Sequence, residues 1–465
     1  MSIMAVELCA SRLVAPYFGS STFVWTNVIG VMLVALALGY LAGGRLADRR
    51  PELNVLLGLL LGACAYLLVL PYAAGPALAA ISGLMTGLHS SFAFIFAGSL
   101  IAIILLFAPP IVVMGMTGPF LIRVLAQQRH LGEIAGRVFG ISTLGSVLGT
   151  FLPVLVFVPA VGTSKTIGIF AGALLVVVAF GFRLGAGAAA GVLALALVLA
   201  PVPALRHLPG EVWSGESAYE HVEVIDRGEL RFLAYDDAIG WESVVNKAGP
   251  RTGFYFDYFA RLPRYLGRPA RSALVLGLGG GVIASRLHDA HPHLAVTGVE
   301  IDPLVIDVAR RFFDLDPQTR VVNQDARIFV RLDRGTYDIA VVDAYSRQFY
   351  IPFHLATRQF FRQVKARLAA DGLLAMNVSS AGADSRLMRA LRATLRGVFA
   401  HVYTTRIPGA PNYMLLASDR APTFPGQGTG APAFREDRGG DASRALTDDR
   451  APVEFMTDRE LLESR

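Results

Sequence analysis

Three acidic residues in the second half of the chain, Glu300, Asp325 and Asp343, each follow a short strand-like run. A glycine-rich turn, Gly277-Leu278-Gly279-Gly280-Gly281, closes an earlier apolar run. Open α/β sheets bind ligands at the carboxyl ends of their strands, so a carboxylate there is well placed for chemistry. Glycines let backbone approach a ligand and let a helix start close against the strand. An acid about 20 positions past such a turn, ending the next strand, accepts bonds from both ribose hydroxyls, and Glu300 has that place. Asp325 suits an adenine amino group, and Asp343 would face the reacting centre. The glycines at 279–281 satisfy several spacings, so the turn does not separate a dinucleotide from another nucleoside. The acids ending the third and fourth strands favour a sulfonium nucleoside over NAD.

The elements that must hold these groups are legible in the pattern. Ala273-Leu274-Val275-Leu276 is continuously apolar, as a strand buried on both faces should be. Further strands are expected at 294–299, 320–323, 337–342 and 373–378, with helices from the glycine turn to Ala290, to about Phe313 and over 355–368. This alternation predicts a parallel, doubly wound sheet. Ahead of it, 219–225 and 230–233 read as short strands about a turn at Asp226-Arg227-Gly228, a small β-subdomain.

The first half is of another kind. Mean hydropathy over the chain is +0.50 and 17% of residues are charged, against roughly a quarter in soluble domains. No Asp, Glu, Lys or Arg occurs from Leu53 to Ile122, nor from Leu184 to Leu205. Spans are expected at 23–43, 53–73, 92–108, 138–158, 164–182 and 185–204, with 1–14 the end of a truncated one, about seven in all. Pro109-Pro110 must break or kink the stretch 91–125. Arg45, Arg49 and Arg50 after the second span mark a cytoplasmic loop. Glu7 and Arg12 stand in apolar sequence, where an ionisable group pairs, lines a cavity or sits at an interface. The fold expected is thus a multi-pass α-helical membrane domain (1–205), a linker (206–216), the β-subdomain (217–265) and a Rossmann-type, class I methyltransferase-like domain (266–465). Net charge is +6 with no basic run, which argues against a nucleic-acid partner. Cys9 and Cys64 read as apolar packing residues, with neither disulfide nor metal spacing. Residues 422–442 read as a mobile loop.

On these residues the chain resembles the spermidine synthase family, in its membrane-fused bacterial branch. The stretches that carry the resemblance are 274–281, Val299-Glu300-Ile301-Asp302, Asp325, Tyr337 to Asp343, and Leu446 to Glu454, with Glu7 to Trp25 and Gly39 to Asp48 in the apolar half. The resemblance implies aminopropyl transfer from decarboxylated S-adenosylmethionine to a polyamine or related amine, without a metal. Gly277, Gly279, Gly281, Glu300, Asp325 and the Ala326 backbone would bind the nucleoside. Asp343 would orient or deprotonate the amine. Tyr219, Glu220, Tyr255, Asp257, Tyr345 and Ser346 would bind the substrate. The enzyme would sit in the inner membrane; a cytosolic donor puts its catalytic domain in the cytoplasm, whereas reading 92–125 as one crossing between the basic clusters Arg45, Arg49, Arg50 and Arg123, Arg129, Arg137 puts it outside, and a homo-oligomer is one assembly it allows.

The chain departs from the family's pattern where amines are held. Gly280 and Ser346 stand where the family has aspartates, and Glu220 and Phe256 where it has glutamine and histidine. Each charge-assisted contact is worth about 1.5–3 kcal/mol, so two lost carboxylates weaken a polycation pocket; Glu220 and Asp257 are placed to restore part of this. Two other functions therefore stay open. One is a methyltransferase using intact S-adenosylmethionine, whose carboxylate an aspartate at 280 would repel. The other is a polyamine transporter or sensor without catalysis.

Overall fold

The structure is a computed structural model describing residues 1–18, 22–85, 91–126, 131–182, 200, 208–235, 240–345, 350–424, 433–439 and 443–463. The chain divides into two compact units, one of Met1–His207 with Gly215–Glu220, the other of Leu208–Ser214 with His221–Arg465.

The first unit is helical: α1 (Ser2–Phe18), α2 (Thr22–Arg49), α3 (Leu53–Met85), α4 (Ser91–Leu106), α5 (Ala108–Gly115), α6 (Thr117–Leu125), α7 (Leu131–Leu152), a π turn (Pro153–Phe157), α8 (Val158–Val161) and α9 (Thr163–Gly181). Among the described residues, five helical stretches are long and apolar enough to cross a membrane: Phe23–Arg49, Leu53–Met85, Ala108–Leu125, Leu131–Val161 and Thr163–Gly181. The span expected at 92–108 falls on the shorter α4, of 16 residues. The break near Pro109-Pro110 comes at Phe107, because prolines are tolerated in the first helical turn, where no intrahelical N–H donor is needed. The span expected at 185–204 lies outside the described residues, save Ala200.

Segment 215–220 is tied to these helices. The Arg12 guanidinium donates to the carbonyl oxygens of Ser217 (2.9 Å) and Ala218. The Glu216 carboxylate accepts from the Thr163 backbone N–H (2.8 Å) and its hydroxyl (2.5 Å), capping α9. A carboxylate is favoured there because the N-terminal N–H groups lack helical partners and carry partial positive charge. Residues 211–216, read above as linker, form the strand β1 (Glu211–Glu216).

Strand β1 heads a four-stranded sheet in the order β1-β2-β3-β4, with β2 at His221–Arg227, β3 at Leu230–Tyr235 and β4 at Ser243–Asn246. Among the described residues the main sheet of the second unit has eight strands, ordered β12-β10-β11-β9-β8-β5-β6-β7. These are β5 (Ser272–Leu276), β6 (Ala295–Glu300), β7 (Arg320–Asn323), β8 (Tyr337–Val342), β9 (Leu368–Ser379), β10 (His401–Arg406), β11 (Asn412–Ser418) and β12 (Arg435–Glu436). From β9 to β7 the pairing is parallel, whereas β10 and β11 run antiparallel at one side. In β5, Leu274 and Leu276 pack with Phe360 and Phe361 on one face, while Ala273 and Val275 pack with Phe259 and Tyr265 on the other. Two buried faces explain the unbroken apolar run, since successive side chains point opposite ways.

The α-helices between the strands are α10 (Phe256–Phe259), α11 (Val282–Ala290), α12 (Pro303–Phe312), α13 (Ala326–Leu332), α14 (Arg358–Lys365) and α15 (Arg386–Arg396), and α16 (Val453–Glu463) follows the last strand. The helix expected over 355–368 is confined to α14, because the Thr357 hydroxyl caps it by accepting from the Phe360 N–H. The described parts of 422–442 are fastened: Phe424 and Phe434 stack at 4.6 Å and the Thr423 N–H donates to the Tyr265 carbonyl.

Candidate active site

The parallel registers decide which residues meet. Leu276 pairs with Val342 on one side and Val299 on the other, and Glu300 pairs with Asn323. Asp343 and Glu300 therefore flank the 277–281 turn, and Asp325 follows the next strand outward. The order reverses between β5 and β8, the switch point where such sheets open a crevice.

The turn itself is tightly built. Gly277, Gly279 and Gly281 have φ of +87°, +52° and +79°, a region L side chains rarely adopt. A Cβ on Gly277 would lie 2.3 Å from the Asp343 carbonyl oxygen, and one on Gly281 2.3 Å from Leu315. A Cβ on Gly280 would lie 2.8 Å from the Ser243 Cβ and 3.0 Å from the Phe313 ring. These glycines are needed for close packing, and the family's aspartate has no room at position 280. The Ser243 hydroxyl also accepts the Gly280 N–H at 2.8 Å.

The acids differ in what occupies them. Glu300 is buried, and its two oxygens accept the N–H groups of Gly279 (3.0 Å) and Asp302 (3.1 Å). Burial raises its pKa while those donors pull it down. A carboxylate has about four lone-pair sites, so capacity for a sugar hydroxyl remains. Asp302 is the N-cap of α12, accepting from the Leu304 N–H. Asp325 caps α13 by accepting the Ile328 N–H at 2.8 Å, and its second oxygen lies 3.3 Å from His354 Nε2. Ala326 is buried at the first position of that helix.

Among the described residues Asp343 caps no helix. It is half-buried, accepting the Tyr255 hydroxyl (3.1 Å) on Oδ2 and the Asn377 amide (2.8 Å) on Oδ1. Burial pushes its pKa up to about 6, partly opposed by those two donors. Burial and the Asp343 charge also hold the Tyr255 hydroxyl well above its ordinary value, so it stays a donor. A group near pH 6 accepts a proton at neutral pH and is a stronger base than an ordinary carboxylate.

The other expected substrate contacts fare differently. The Tyr345 hydroxyl is engaged by β9, donating to the Asn377 carbonyl (2.9 Å) and accepting the Ser379 N–H (3.0 Å). The Asp257 carboxylate accepts from the N–H groups of Thr252 and Gly253 and the Thr252 hydroxyl, closing its own turn. Phe256 is fully buried core. Tyr219 and Glu220 belong to the first unit, and Ser346 lies outside the described residues. Sequence reasoning missed Ser243, Asn377 and Glu242, whose charge acts on both Tyr255 and Tyr345. Glu242 directly precedes β4, and nothing in its spacing marks it.

Residues 254–419 match the family described as spermine/spermidine synthase domain. A probable polyamine aminopropyl transferase of Bifidobacterium longum is 31% identical over 52% of this chain and 61% of its own length. A polyamine aminopropyltransferase of Vibrio vulnificus is 39% identical over 42% of this chain and 66% of its own. The chain thus spans less than two thirds of either relative. The crystal structure of a probable spermidine synthase from Corynebacterium glutamicum superposes with a TM-score of 0.45 at 18% identity, covering 52% of this chain and 97% of that one.

Proposed function

Since the chain belongs to the spermine/spermidine synthase family, we propose that it transfers an aminopropyl group from decarboxylated S-adenosylmethionine to an amine acceptor, with Asp343 as the base. The acceptor nitrogen bonds to the propyl carbon beside the sulfonium. The carbon–sulfur bond breaks, its electron pair goes to sulfur, methylthioadenosine leaves, and the nitrogen's proton passes to Asp343. Glu300 takes the ribose hydroxyls, and Asp325 with the Ala326 N–H takes the adenine. Tyr255 and Glu242 line the amine side. The observation that carries this reading is Asp343 itself: a half-buried carboxylate beside the glycine turn, held by two donors, with a pKa near 6.

The helical half anchors the enzyme in the inner membrane with the second unit in the cytoplasm. Five helices of sufficient length among the described residues support the anchor, and a nucleoside donor made in the cytosol supports the side; the basic cluster Arg45, Arg49 and Arg50 bears only on its own loop. A second reading, methyl transfer from intact S-adenosylmethionine, is favoured by one feature: the packed Gly280 leaves the turn without the carboxylate that would repel that donor. Calorimetry on the full-length protein in detergent separates them. Selective binding of the decarboxylated donor supports aminopropyl transfer, preference for the carboxylated donor supports methyl transfer, and binding of neither donor nor methylthioadenosine refutes both.

A further inference from the structure

We propose that Asn412 is a positioning residue for the reaction: through Asn377 it fixes which end of an amide faces Asp343. The Asn412 Nδ2 donates to Asn377 Oδ1 at 3.0 Å, and Asn377 Nδ2 donates to Asp343 Oδ1 at 2.8 Å. The sheet registers build this line. The parallel pairing of Val342 with Met376 sets Asp343 beside Asn377. The antiparallel pairing of Ser379 with Asn412 and of Asn377 with Met414 makes Asn377 and Asn412 diagonal neighbours on one face. Asn377 and Asn412 are 2% and 9% exposed, so water is a poor substitute for either partner.

An amide presents a donor at one end and an acceptor at the other, and an ionised carboxylate only accepts. With its oxygen engaged by Asn412, Asn377 turns its N–H toward Asp343 and stabilises the ionised, proton-accepting form. Reversed, the amide would set an oxygen against the carboxylate, and Asp343 would keep a proton. The titratable groups around Asp343 are Tyr255, Tyr345 and, acting on both tyrosines, Glu242; none of them orients this amide. The antiparallel strand β11 thus reaches the reacting centre without touching it.

The inference rests on the reading of Asp343 as the base, and two substitutions test it in the full-length protein. Asn412→Leu removes the donor without adding charge. Asn412→Asp goes further, since an ionised carboxylate there accepts from Asn377 and turns the amide over. With decarboxylated S-adenosylmethionine and putrescine as substrates, the acid limb of kcat/KM against pH should rise by about one pH unit in Asn412→Leu, the equivalent of one hydrogen bond to a charged group. It should rise further in Asn412→Asp, while donor binding stays unchanged in both. An unmoved limb in folded variants overturns the proposal, as does a shift in Asn412→Asp alone, which charge repulsion explains. If Asn412→Leu does not fold, Asn412→Ala carries the same expectation. Absence of turnover in the unsubstituted protein refutes the aminopropyl-transfer reading but leaves a second readout. The pH dependence of thermal unfolding, compared between each protein and its Asp343→Asn counterpart, follows the same carboxylate without turnover, and its midpoint should move as the acid limb would.

Discussion

Replacing Asp343 by asparagine should stabilise the protein while abolishing turnover. The folded pKa stands at about 6 against an ordinary value of 3.8. The native state therefore holds more protons than the unfolded chain between those values. Stability contributed by this site is lost as pH rises through that window and stays lost above about pH 6. The difference of roughly two units, at 1.36 kcal/mol each, sets an upper bound near 3 kcal/mol of strain at pH 8. Asparagine is nearly isosteric, keeps an oxygen for the Asn377 N–H and never ionises, so it relieves most of that strain. For a unit of this size the bound corresponds to roughly 6–12 °C in Tm. Thermal unfolding of both proteins in detergent, measured from pH 4 to pH 8, reads the effect. The variant should unfold higher at pH 8, and its advantage should shrink toward zero near pH 4. A variant no more stable than the parent at pH 8, or equally advantaged at both ends, would refute the argument that burial strains this carboxylate.

Three other substitutions probe separate features. Gly280→Asp, which restores the family's carboxylate, should cost at least about 1–3 kcal/mol by overpacking against Ser243 and Phe313, seen as a lowered Tm; a stable variant with tighter donor binding would contradict the packing. Glu242→Gln should raise KM for a diamine acceptor roughly tenfold or more, the loss of one charge-assisted contact, with donor affinity unchanged by calorimetry. Glu460 is buried in α16 and accepts from the Ser380 hydroxyl (2.6 Å) and the N–H groups of Ala381 (3.3 Å) and Leu387 (3.0 Å). Glu460→Ala strands these donors and should cost about 3 kcal/mol, again read as Tm.

The rim of acids was legible because burial on both faces leaves strands such as Leu274-Val275-Leu276 and Ile339-Ala340-Val341-Val342 with no polar residue until the sheet ends. The first polar group after such a run must lie on the edge. What the pattern could not tell was each acid's duty. Asp302 and Asp325 take helix N–H groups and Asp343 does not, and this depends on where the following helix begins. The contacts of Asp257 with the turn at 252–253 were not visible either, because a lone acid shows no partner in sequence. Asn377 and Asn412 were opaque for a further reason: they are 35 residues apart and meet only through a register that no local pattern encodes. The strand at 211–216 was hidden by the prolines before it and by a burial pattern with no fully buried position.

Segment 215–220 belongs to the helical unit although the residues on both sides of it belong to the other. No single cut in the polypeptide separates the two units as they fold. A fragment starting at 208 would carry six residues stripped of Arg12 and Thr163, and one starting at 221 would lack β1 from its sheet. Dissection of this protein by truncation therefore calls for a graft across 215–220, and a shortened fragment that misfolds says nothing against the catalytic half being sound.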